Sequence, residues 1–230
     1  MHALQSLDFR EDSNFWEHVM SGTPSPGPAP DALEFAALLC SRVCHDLISP
    51  VGAIVNGLEV LDDNPKPEDR DFALELIRKS ARTASARLQF CRLAFGAAGS
   101  AGAQIDLGDA QAMARGHIED GKTTIAWNLP RELVAKNRVK LLLNMIVVAA
   151  GAIPRGGTLT VDAFENGYRI VAAGLNARLT AATAELISGA SGHAVDAHAI
   201  QPVYTGILAR DCGLTLAAAP EGETVVVTAR

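Results

Sequence analysis

The chain has 230 residues, 48% hydrophobic and 20% charged, enough to bury a sizeable core in one large domain or two small ones. A net charge of −6 argues against nucleic acid as a partner, and the six histidines are scattered without ligand spacing, so no metal of its own is expected. Apolar runs such as "MIVVAAGAI" stop short of the roughly 20 residues that span a bilayer, and Asp8, Arg10, Glu11 and Asp12 stand where a signal peptide would be apolar; a cytoplasmic protein with no membrane partner is expected.

Residues 1–30 end in "SGTPSPGPAP", whose four prolines and two glycines forbid regular structure, so this segment reads as a flexible tail. Within it, "LDFREDSNFWEHVM" is apolar enough for a short helix. Asp31 suits an N-cap. From there to Asp63, Ala36, Cys40, Val43, Leu47, Val51, Ile54, Leu58 and Leu61 recur at helical spacing, in a stripe about 80° wide. "DDNPKPED" makes the turn, and a second helix follows from about Glu68 to Phe95 with a seam of mostly small residues: Ala73, Ile77, Ser80, Ala84, Leu88, Cys91 and Phe95.

Two long helices with a tight connection predict an antiparallel hairpin over residues 31–97. So narrow a stripe needs a second copy to cover it, which predicts a four-helix bundle at a homodimer axis. Between Leu76 and Ile105 there is no acidic residue but five basic ones, Arg78, Lys79, Arg82, Arg87 and Arg92. This face suits an acidic protein partner or a phosphoryl group, or is an ordinary solvated face. The four cysteines form no disulfide framework; Cys40 and Cys44 lie beside His45, but without a second ligand pair they read as small buried hydrophobes.

Glycine-rich "GAAGSAGA" supplies a joint, with a linker at 98–104 and a second domain over 105–230. There "TIAWNL", "TLTVDAF" and "GYRIVAAG" read as strands, and "LTLAAAPEGETVVVTAR" as two strands about a turn. Helical stretches fall at about Asp106–Asp120, Arg138–Ala152, Ala181–Ile187 and His198–Cys212, the last closed by Gly213. The fold class predicted is α+β: a helical hairpin followed by an α/β sandwich with helices on one face of one sheet.

One stretch of the first helix, "HDLISP", carries chemistry. His45 points almost directly away from the apolar stripe, among Ser41, Arg42, Ser49, Gly52 and Asn56, so a second protein can approach the ring closely. An imidazole is largely neutral at neutral pH and can attack through one nitrogen while the other is held; Asp46, about 100° round the helix, is placed to hold it. An exposed His-Asp pair without a role is the alternative. Pro50 removes its own N–H and clashes with the carbonyl of Asp46. Ser49-Pro50 could begin a new helix, but the apolar stripe keeps its phase from Val43 through Leu47 to Val51 and Ile54. A continuous helix with a loosened backbone near Asp46 is expected.

"HDLISP" resembles the phosphoacceptor motif of histidine-kinase dimerisation domains, and "LLLNMIVVAAGAIPRGGTLTV" is similar to the segment carrying their first ATP-site asparagine. Aligned on Asn144, that pattern puts Val148 where an asparagine holds magnesium, and Gly151 one turn on. Ala173, Leu175 and Ala177 replace the adenine-binding Asp-x-Gly-x-Gly, and no Gly-x-Gly lid precedes the last helix. A dimerisation hairpin joined to a degenerate ATPase-like domain resembles the ChpT family of histidine phosphotransferases, as do "RVCHDLISPVGAIVNGLEVLDD" and "LQFCRLAFGA" in detail.

The resemblance implies that His45, oriented by Asp46, takes a phosphoryl group from the receiver domain of a hybrid histidine kinase. It then passes the group to a response-regulator receiver, CtrA-like or CpdR-like, with Mg2+ supplied by the receiver. Arg42, Ser49, Gly52, Asn56, Arg82 and Arg87 are the candidate partner-binding residues. Two other readings are a diverged ATP-dependent histidine kinase and a non-catalytic receiver-binding scaffold.

Overall fold

The computed structural model describes residues 31–63, 65–96, 102–188, 195–197 and 199–230. The proposed tail and its short helix lie outside the described residues, as does most of the linker. Helix α1 spans Ala32–Asp62 and α2 Pro67–Ala94, packed as an antiparallel hairpin. The Asp31 carboxylate accepts from the backbone N–H groups of Leu33 and Glu34, and so starts α1. Pro67 opens α2, where its missing N–H costs nothing. The helix runs unbroken through Pro50, which is buried against α2.

The second unit begins with strand β1 (Gln104–Asp106), helix α3 (Leu107–Ile118), β2 (Thr123–Trp127), β3 (Leu133–Ala135) and α4 (Lys136–Gly151). It continues with β4 (Gly157–Phe164), β5 (Gly167–Ala173), α5 (Ala181–Ser188), α6 (Ile200–Asp211), β6 (Leu216–Glu221) and β7 (Thr224–Ala229). The five-stranded sheet has the order β2-β4-β5-β7-β6; β2 and β4 are parallel, and the other neighbours antiparallel. One sheet face buries Leu159, Val161, Ile170, Ala172, Val225 and Val227 beneath α4, which is itself buried almost all round. Gly213, at φ +69, lets the chain leave α6, and Gly222, at φ +61, turns β6 into β7. The pair β1-β3 was not expected, because three-residue strands carry too little alternation to read.

The predicted stripe on α1 proves to straddle two faces. Val43, Leu47, Ile54 and Leu61 turn partly inward beside fully buried Pro50 and Gly57, whereas Val51 and Leu58 join Ile48 and Val55 on an exposed apolar arc. Cys40 and Cys44 are exposed on that arc's side, contrary to the buried reading, while Cys91 is buried and Cys212 intermediate. Because both faces are apolar, α1 is long and apolar enough, by length and composition, to cross a membrane; the shorter runs considered above understated this. Gly57 allows a close crossing, since a Cβ there would lie 2.6 Å from Ile77 Cγ1.

The hairpin is joined to the sandwich through Asn144, buried in α4. Its amide donates to the carbonyls of Ala94 (3.0 Å) and Lys140 (2.7 Å), and its oxygen accepts from Gln201 Nε2 (2.7 Å). Lys140 Nζ donates to Gly96 O at 2.8 Å and lies 5.7 Å from the Tyr204 ring centre, which Phe35 and Phe95 flank. Replacing Asn144 with leucine keeps the branched shape, though not the volume, and strands the Ala94 carbonyl and the Gln201 amide. We expect a loss of about 3 kcal/mol in urea unfolding, with greater protease sensitivity at the joint.

Candidate functional site

His45 lies on the exposed side of α1, with 55% of its side chain accessible, while the neighbouring Asp46 side chain is 16% accessible. The carboxylate Oδ1 stands 3.6 Å from His45 Nδ1, an ion-pair approach slightly longer than a hydrogen bond. Its Oδ2 accepts from Arg42 Nε at 3.2 Å, one turn earlier. Asp46 therefore faces both the imidazole and a guanidinium.

Pro50 has no N–H to offer the Asp46 carbonyl, and Arg87 of α2 fills the vacancy: its Nη1 donates to that oxygen. The backbone there is tethered across the hairpin instead of loosened. Arg82 is five residues away on α2, about 140° round the helix. It borders an open groove against α3 with Ser85, Gln89 and Asp109, so the structure does not bring it to Asp46.

Ser49 and Asn56 are exposed beyond His45, and Gly52 lies between them, where an added Cβ would meet nothing within 4 Å. The face ahead of the imidazole is thus flat and polar. The exposed apolar arc of Ile48, Val51, Val55 and Leu58 occupies a different sector of the same helix.

Sequence reading missed the residues beneath the site. His117 of α3 stacks face to face on Phe90, centroids 3.9 Å apart at 6°, and its Nδ1 has no hydrogen-bond partner. Burial drives its pKa down to about 4, with the Asp46 carboxylate pulling the other way and Arg87 and Arg42 adding to the depression. Burial and Asp46 push the neighbouring Cys91 thiol up to about 11, against the opposing pull of Arg42 and Arg87. Helical spacing puts Cys91 in the seam of α2, but no local pattern marks His117, and only the packing of α2 on α3 brings the two together under Asp46.

Beside this cluster is a cavity of about 480 Å³, bordered by Arg42, His117, Val148, Gly151, Arg178 and Gln201, among others. Val148 and Gly151 are the positions at which the resemblance places nucleotide-site departures, so the cavity occupies that part of the domain. Among the described residues, no group of three or more His, Cys, Asp or Glu side chains gathers as a metal site.

Residues 107–224 match the family model described as the histidine phosphotransferase C-terminal domain. The protein phosphotransferase ChpT of Brucella abortus (strain 2308) is 49% identical over 203 residues, covering 86% of this chain and 96% of the relative. A bacterial phosphotransferase of known structure, solved at 1.7 Å, superposes with a TM-score of 0.75 at 45% identity, over 90% of this chain and all of the other.

The buried His117 yields a pH prediction. Its folded pKa is depressed, so the unfolded chain binds more protons between pH 6.5 and about 4. Its contribution is complete above pH 6.5 and is lost as pH falls through that window, about 3 kcal/mol at most. His117→Phe, which can keep the stack on Phe90, is expected to shrink the drop in urea midpoint between pH 7.5 and 4.5.

Proposed function

This chain belongs to the ChpT family of histidine phosphotransferases, and on that premise we propose that His45 is its phosphoacceptor in a relay between receiver domains. The observation that carries the reading is the placement of one accessible imidazole, Nδ1 facing a half-buried carboxylate, on a flat polar face. Nδ1 is turned to Asp46, and Nε2 is the nitrogen assigned to attack.

In the forward step the Nε2 lone pair attacks the phosphorus of a receiver's aspartyl phosphate. The N–P bond forms as the P–O bond breaks, and the aspartate leaves as a carboxylate. The ring then bears positive charge, which Asp46 stabilises through Nδ1–H. Transfer to a second receiver reverses the geometry: its aspartate attacks the phosphorus and neutral imidazole leaves. Mg2+ comes with the receiver, whose own carboxylates suit it.

The donor is a hybrid-kinase receiver and the acceptor a regulator receiver of the CtrA or CpdR kind, both docking on Ser49, Gly52 and Asn56. ATP is not the donor: Val148 and Gly151 supply no magnesium ligand to the cavity. Two copies pair through the arc of Ile48, Val51, Val55 and Leu58, whose exposure in a single copy supports a four-helix bundle. Residues 1–30 act as a tail, 31–97 as the dimerisation and transfer domain, 98–104 as the linker and 105–230 as a docking platform, all in the cytoplasm.

Labelled phosphoryl group supplied on a purified receiver domain is expected to appear on the wild-type protein and not on His45→Ala, with Asp46→Asn slowed at least about tenfold. Labelling by ATP alone would instead establish a kinase. Gly52→Tyr, whose side chain enters open space, is expected to keep the melting temperature within a few degrees yet raise the receiver concentration needed for half-maximal transfer.

A further inference from the structure

We propose that Arg87 is a positioning residue whose task is to replace the helix hydrogen bond that Pro50 removes, and so to fix Asp46 against His45. This rests on the reading of His45 as the phosphoacceptor. In an ordinary helix the Asp46 carbonyl would accept from the N–H of residue 50. Proline has none, and the carbonyl is part-buried facing α2.

Arg87 reaches it from the facing helix. Its charged donor makes a stronger bond than the amide it replaces, and one that crosses between helices instead of running along one. The bond holds the backbone of residue 46, while Arg42 holds the same residue's carboxylate. Two tethers on one residue fix where Oδ1 stands relative to Nδ1, and an ångström of error there is enough to slow an in-line transfer about a hundredfold.

The neighbourhood supports an internal assignment for this arginine. The charges of Asp46, Arg42 and Arg87 all act on Cys91 and His117, the two titratable side chains packed below from α2 and α3. Of the five basic residues between Leu76 and Ile105, Arg78, Lys79, Arg82 and Arg92 are exposed, whereas Arg87 is half-buried. The other four keep the role of a solvated basic face.

A double-mutant cycle tests the assignment, because alanine at position 50 restores the missing N–H. Arg87→Ala is expected to slow transfer from a phosphorylated receiver to His45 about tenfold or more in the Pro50 background, and less than about threefold beside Pro50→Ala. If Arg87 touched the receiver or the phosphoryl group, its loss would cost the same in both backgrounds, and the proposal would be overturned.

A second measurement needs no receiver. The ring-nitrogen NMR shifts of His45 are expected to move in Arg87→Ala and to return toward their Pro50→Ala values in the double variant; shifts unmoved by Arg87→Ala would also overturn the proposal. If His45→Ala still accepts the label, the phosphoacceptor reading fails by itself, and the NMR comparison continues to judge Arg87.

Discussion

A carbonyl that has lost its helical partner is the constraint around which this molecule is arranged. Pro50 lies inside α1, so the Asp46 oxygen must be satisfied from elsewhere or be left unpaired in a half-buried seam, at about 1–3 kcal/mol. The donor comes from α2, which requires the two helices to keep a fixed register. Small residues make that possible: Gly57 packs against Ala73 and Ile77, and both Ala73 and Ser80 are buried in the seam. Close packing and carbonyl satisfaction therefore belong to one solution, because a wider hairpin would put the guanidinium out of reach.

The second constraint is at the other end of the hairpin. Asn144 spends both amide hydrogens on carbonyls of two helices and its oxygen on a third, so α2, α4 and α6 meet at one buried side chain. In sequence this asparagine resembles one from a nucleotide-binding motif; in the structure its donors and acceptor match the three groups around it. The fit here is incomplete, since Gln201 Oε1 is buried without a partner.

Much of the architecture was legible because its signals are local. Asp31, Pro67, Gly213 and the alternating strands each act within a few residues, and the elements they predict are present with ends shifted by only a few positions. The unbroken helix through Pro50 was legible from the phase of its apolar residues. What stayed hidden was relational. The apolar stripe could not show that Val43 and Val51 serve different faces, since an angle of about 80° is compatible with one neighbour or two. Nor could spacing alone distinguish Arg82 from Arg87, both candidates for the partner-binding face; only helix rotation sends one inward. His117 and Cys91 lie far along the chain and gave no sign of sharing a cluster with Asp46.

The proposed route of the phosphoryl group follows from how these constraints divide the surface of α1. The inward face is used up by α2, and the apolar arc is the face proposed to meet a second copy, which leaves one polar sector ahead of His45. That sector is bordered by residues whose side chains are small or already engaged: Gly52 projects nothing, and Arg42 is paired with Asp46. A donor carried on the same chain would need the sandwich to swing over this sector, against the bonds that Lys140 and Asn144 make to the end of the hairpin. A donor carried on a separate protein needs only an open face. With the joint held and the face flat, exchange with an external receiver asks the least rearrangement of the structure.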